Sequence, residues 1–130
     1  MSQRTILAAV AGAVTLFVLG YLTYVVLLGD FFADHGAGTQ AEPVFWAIIL
    51  GELALGCLMA HIFDRWASIR TFAGGFQAGA VIGCLLAIGF GLIKFGAFGG
   101  TDLTAVAVDT VVSVIRYGLA GGVVGMVLGR

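Results

Sequence analysis

Charge is scarce in this chain. It has six basic and seven acidic residues in 130, and charged side chains make up 10 % of it, against about 25 % in an ordinary soluble domain. A water-soluble fold this small has too much surface to cover with so few charged groups. The formal net charge is -1 and no basic stripe exists, so nothing offers nucleic acid an electrostatic footprint. Proline occurs once, and the 21 glycines follow no period of three, which excludes a collagen-like chain. The two cysteines, Cys57 and Cys84, form no CxxC and no Cys/His ligand spacing, so neither a disulfide framework nor a metal site is expected. They read as small apolar packing groups. No HExxH, no phosphate-cradling loop and no Ser/His/Asp order is present. Neither an enzyme nor a cofactor is expected.

What the chain has is apolar surface. Hydrophobic residues make up 61 % and mean hydropathy is +1.12. A membrane-spanning helix needs about 20 mostly apolar residues. Four segments reach that length: Thr5 to Gly29, Pro43 to Phe63, Phe72 to Ile93 and Leu103 to Leu128. The connections of roughly 13, 8 and 9 residues suit antiparallel neighbours. The segments do not alternate as barrel strands do. The expected fold is an all-α transmembrane four-helix bundle, a single domain over residues 1–130.

The ends carry fitting chemistry. Pro43 after Glu42 suits a first helical turn. Thr101 is the expected cap of the fourth helix, with Asp102 just inside, and Gly29 and Gly129 sit where helices stop. The first segment is too long for a signal-peptide core, and Leu28-Gly29-Asp30-Phe31 is a poor cleavage site, so a retained span is expected. Arg4, Arg65, Arg70 and Arg130 fall on one side and Lys94 on the other, which predicts that both termini are cytoplasmic. Phe31, Phe32, Phe45, Trp46, Phe95 and Phe98 on one side, and Phe63, Trp66 and Phe72 on the other, read as interfacial lipid anchors.

A shift of about 67 residues sets Ala11-Gly12-Ala13-Val14 on Ala78-Gly79-Ala80-Val81. One residue out of that register, Leu53-Ala54-x-Gly56 falls on Leu119-Ala120-x-Gly122. Either two tandem helical hairpins of one orientation arose by duplication, or a chain rich in Ala, Gly, Leu and Val matches itself by chance.

Small residues at four-residue spacing let helices approach closely in lipid, where no hydrophobic force drives them together. The third span carries Gly75, Gly79, Gly83, Ala87 and Gly91 in one row. The fourth carries Gly121, Gly125 and Gly129 in one row and Gly118 and Gly122 in another. The second offers Ala47 and Gly51 and, offset, Gly56 and Ala60; the first offers Ala9 and Ala13. Glycine-zipper packing of the third span on the fourth is expected, and the second row of the fourth could serve another subunit.

An ionisable residue inside a span is expensive and points to function. Glu52 lies roughly 14 Å from the end of its span, Asp109 roughly 9 Å and Arg116 roughly 20 Å. Asp109, Ser113 and Arg116 share one face of one helix. Glu52 is therefore expected to face Arg116 and Asp109, forming an intramembrane charge cluster of two acids and one guanidinium. Such a cluster is either a static pair that fixes helix register or a relay whose spare negative charge takes a proton or a cation. Tyr117 could add its hydroxyl or simply pack. His61 and Gln77 fall at similar depth and could meet; His61 is otherwise an interfacial histidine. His35, beside Asp34, reads as solvated, and Lys94 can snorkel outward.

Gly29-Asp30-Phe31-Phe32, Pro43-Val44-Phe45-Trp46, Leu50-Gly51-x-Leu53-x-x-Gly56 and Ala60-x-Ile62-Phe63, with the glycine-rich later spans, resemble uncharacterised bacterial families of small four-helix integral membrane proteins. The resemblance implies a bacterial inner membrane and no particular chemistry. The functions left are a small channel or carrier for protons, ions or a small solute, an accessory or scaffold subunit of a membrane complex, and a lipid-interacting envelope protein. The expected partners are the lipid bilayer and a second copy or another membrane protein.

Overall fold

Side-chain oxygens start three of the long helices. Ser2 accepts from the Thr5 amide at 3.2 Å, Thr71 from the Gly74 amide at 3.1 Å and Asp102 from the Ala105 amide at 2.8 Å. Each satisfies an amide that the first helical turn leaves open. In the computed structural model, which describes residues 2–34, 44–99 and 102–130, these helices are α1 (Gln3–Tyr21), α4 (Phe72–Ala97) and α5 (Leu103–Leu128). Between α1 and α4 come the short α2 (Gly29–Asp34) and α3 (Phe45–His61). Both α1 and α3 continue into π-helical turns, Leu22–Leu27 and Ile62–Trp66.

With those turns included, four helices of 25, 22, 26 and 26 residues are long and apolar enough to cross a membrane. The chain is an all-α, multi-pass membrane protein, and no strand occurs among the described residues. The spans differ from expectation at their ends. The third runs on to Ala97, because the chain turns only at Gly99, whose φ of +71° suits glycine. The Gly99 amide there bonds the Lys94 carbonyl at 3.1 Å. Asp102, expected inside α5, is its cap. Gly29 starts α2 rather than ending a helix. His35, Glu42, Pro43 and Thr101 lie outside the described residues.

At the centre of the packing is α5. It lies along α4 on one side and α1 on the other, and α1 also lies along α3. Among the described residues α4 has no comparable contact with α1 or α3, so the helices follow the order α3, α1, α5, α4. Half of the most apolar stretch of α5 is buried, against 17 % for α3 and for α4. Leu16, Met59, Phe63, Val124 and Leu128 form the inner core. Trp46, Trp66 and Phe98 are exposed, as lipid anchors are. Phe32 and Phe63, expected to share that role, are buried instead. Phe63 fills the core, and Phe32 stacks its ring 5.1 Å from that of Tyr24.

Close approach is concentrated where glycine lies. A Cβ on Gly75 would stand 2.1 Å from the Gly121 carbonyl oxygen, one on Gly79 2.1 Å from that of Tyr117, and one on Gly83 2.5 Å from that of Ser113. Backbone therefore touches backbone along the α4–α5 seam, and Gly91 meets the Val106 side chain. Both glycine rows of α5 serve α4. Gly121 and Gly125 face α4 backbone and that of its cap Thr71, while Gly118 and Gly122 seat the rings of Phe76 and Phe72. The second row is thus already covered within the chain. In the other hairpin, a Cβ on Gly56 would stand 2.3 Å from the Ala9 carbonyl oxygen and 3.2 Å from Ala13 Cβ. Gly51 and Ala47 do not join that contact: both are exposed, and nothing approaches Gly51 within 4 Å. The hairpins meet through α1 and α5, while α3 and α4 stand apart.

Candidate functional site

Arg116 projects from α5 toward α1 and α3. Its Nη2 donates to Glu52 Oε1 at 2.8 Å, and its Nε donates to the Leu16 carbonyl at 3.2 Å. Gly20 makes the seat: a Cβ there would stand 3.3 Å from three guanidinium atoms. Two rings flank the cation, Tyr24 at 5.4 Å and Tyr117 at 5.5 Å from the guanidinium carbon, within cation–π range. The side chains of Arg116 and Glu52 are 11 % and 13 % exposed. An ion in such surroundings needs both its partner and further hydrogen bonds. Arg116 has them. Glu52 has them on one oxygen only: Oε2 is buried and has no hydrogen-bond partner among the described residues.

Asp109 follows another course. Its carboxylate accepts from the Tyr24 hydroxyl, and it makes no ion pair with Arg116 among the described residues. Tyr24 stands between the two, with its hydroxyl on the acid and its ring beside the cation. The structure therefore brings Glu52 and Arg116 together and gives Asp109 to a tyrosine, instead of uniting three charges. The reason is length. Asp109 is a short side chain about two turns from Arg116 on one helix, and the ring of the neighbouring helix fills the interval.

Ser113 is buried between them on α5. Tyr117 is a packed core ring against Gly83 and Arg116. A cleft of about 340 Å³, lined by Tyr24, Leu86, Lys94, Asp109, Ser113 and Arg116 among others, connects these groups. It reaches from Lys94, near the Asp30 and Asp102 end, down to Arg116.

His61 and Gln77 are not brought together. Gln77 is exposed on α4, and His61 stacks edge-on with Trp66 at 5.1 Å. Their helices lie at opposite ends of the order α3, α1, α5, α4. Among the described residues no group of three His, Cys, Asp or Glu side chains could hold a metal ion, and Cys57 and Cys84 are free.

Sequence reasoning missed Tyr24, Gly20 and the Leu16 carbonyl. Tyr24 lay within reach, because a hydroxyl near the end of the first span matches the depth of Asp109. A backbone carbonyl carries no residue signature. A second polar contact was also missed, at the Ser2 and Arg130 end. There Thr5 donates to Asp64 Oδ2 at 2.7 Å, and Arg70 donates to Asp64 Oδ1 at 2.8 Å. The chain matches no family model, no curated protein and no solved structure.

Proposed function

We propose that this multi-pass membrane protein handles protons or small cations at Glu52, as a small channel or carrier. One observation carries the reading: Oε2 of Glu52 is buried beside Arg116 without a hydrogen-bond partner among the described residues. A carboxylate inside a membrane with one oxygen held and the other free has a place for a proton. Taking up that proton would release the claim of Glu52 on Arg116, which keeps its bond to the Leu16 carbonyl and the flanking rings of Tyr24 and Tyr117. The cleft lined by Tyr24, Lys94, Asp109 and Ser113 reaches Arg116, the partner of Glu52, from one end of the bundle.

The test is flux. Vesicles containing the purified protein and a trapped pH indicator should dissipate an imposed proton gradient, and Glu52→Gln should abolish this. Absence of flux from the unaltered protein, or equal flux from Glu52→Gln, makes the pair architectural. The alternative is then an accessory or scaffold subunit. The outward apolar faces of α3 and α4, with Ile49, Leu50, Leu85 and Phe90 exposed, favour it. We propose that both termini are cytoplasmic, from the arginine asymmetry, and that the membrane is a bacterial inner membrane, as the sequence resemblance implies. In a background lacking Cys57 and Cys84, Ala33→Cys should label from outside the cell and Ala67→Cys only after permeabilisation. The reverse pattern refutes that orientation.

A further inference from the structure

The end of the bundle away from the cleft carries a second arrangement of charge. Arg4, Arg70 and Arg130 line an open recess of about 780 Å³ with Ser2, Gln3 and Asp64. Among the described residues its one acidic side chain is already engaged, because Asp64 accepts from Thr5 through one oxygen and from Arg70 through the other. Arg70 is committed too: it donates to Asp64 and to the Phe63 and Ile69 carbonyls. That network holds Arg70 in place as a wall of the recess. Arg4 and Arg130 are exposed and make no side-chain hydrogen bond or ion pair among the described residues. Two guanidinium groups are thus free to bind an anion.

Position and wall chemistry decide which anion. The arginines stand at the ends of spans that begin at Gln3 and Phe72 and end at Leu128, the level at which lipid phosphates lie. Leu7, 57 % exposed, and Val127 continue the lining into the apolar layer. A free phosphate uses only the arginines. A molecule with a phosphate head and an acyl tail uses the arginines and the apolar wall together. Basic recesses between spans bind anionic headgroups on this principle, and the planar guanidinium matches phosphate oxygens in pairs.

We propose that this recess binds the phosphodiester headgroup of an anionic membrane phospholipid, with an acyl chain lying against Leu7 and Val127. The site is independent of Glu52 and of any flux through the protein.

Native mass spectrometry of the full chain in detergent tests it, with phosphatidylglycerol, phosphatidylcholine and inorganic phosphate as probes. Phosphatidylglycerol should be retained in preference to phosphatidylcholine. The double variant Arg4→Gln with Arg130→Gln should weaken its binding roughly 25-fold, from about 1 kcal/mol for each basic side chain near a lipid surface. Both residues are exposed and unbonded, so the fold should survive. Should it not, salt decides with the unaltered protein: the preference should vanish near 1 M, where the screening length is about 3 Å. Equal retention of phosphatidylcholine, a preference unmoved by the variants, or one unmoved by salt overturns the proposal. Displacement of phosphatidylglycerol by millimolar inorganic phosphate also overturns it, by showing a site for the free anion.

Discussion

Two seams hold the helices together, and only one of them adds side-chain polar contacts between helices among the described residues. Between α4 and α5 the helices meet through atoms that are missing: Gly75, Gly79 and Gly83 let carbonyl groups of α5 come within contact of α4 backbone. None of the side-chain hydrogen bonds between helices involves α4 among the described residues. Between α1, α3 and α5 such an approach occurs at Gly56, and polar contacts join it. Thr5 bonds Asp64, Tyr24 bonds Asp109, and Arg116 bonds both Glu52 and the Leu16 carbonyl. Dispersion over a long close contact secures the first seam. A few strong, directional contacts secure the second, where each loss strands a polar partner. The first should tolerate no added volume, and the second no lost charge.

The largest effect should come from the polar seam. Arg116→Gln leaves Glu52 buried without its cation, which should cost about 3–5 kcal/mol in detergent unfolding. Glu52→Gln combined with Arg116→Gln should cost clearly less than Arg116→Gln alone, since both stranded charges are gone. A double-mutant cycle reads that coupling, and simple additivity would break the comparison at its strongest point.

The glycine seam comes next. Gly79→Leu adds a side chain where even a Cβ meets the Tyr117 carbonyl. Thermal unfolding should show a loss of about 3 kcal/mol from overpacking. Gly89→Leu, on the same helix with nothing within 4 Å, should stay within about 0.5 kcal/mol. Equal losses at the two positions would mean that leucine disturbs α4 itself and not its seam.

Tyr24→Phe sharpens the polar side. It removes the hydroxyl from Asp109 and leaves the ring beside Arg116, so a loss of about 1–2 kcal/mol is expected. A loss as large as that of Arg116→Gln would show that Asp109 depends on Tyr24 as heavily as Glu52 depends on Arg116. The smallest change belongs to Gly51→Ala, at a position exposed and uncrowded. Stability should hold within about 0.5 kcal/mol or rise slightly, because alanine orders a helix more readily than glycine.

Four spans are legible in the sequence alone, because a span is a local property: length and apolar content suffice. The same holds for Gly75, Gly79 and Gly83, whose four-residue spacing marks a single helix face. Which helix would meet that face was a choice among neighbours, as was the second row of α5. Gly118 and Gly122 looked available to another subunit, and Phe76 and Phe72 cover them. For the polar residues the sequence supplied depth along each helix but not rotation about it. Depth alone allowed Arg116 to take Glu52, Asp109 or both. Tyr24 settled the matter by occupying the space beside Asp109.

Helical class, span number and the rarity of intramembrane charge followed from composition and local periodicity, which need no knowledge of neighbours. The order α3, α1, α5, α4, the seat of Arg116 on Gly20 and Leu16, and the free oxygen of Glu52 came only with the fold. These depend on how each helix is turned about its axis, and that rotation is set by contact between surfaces distant along the chain.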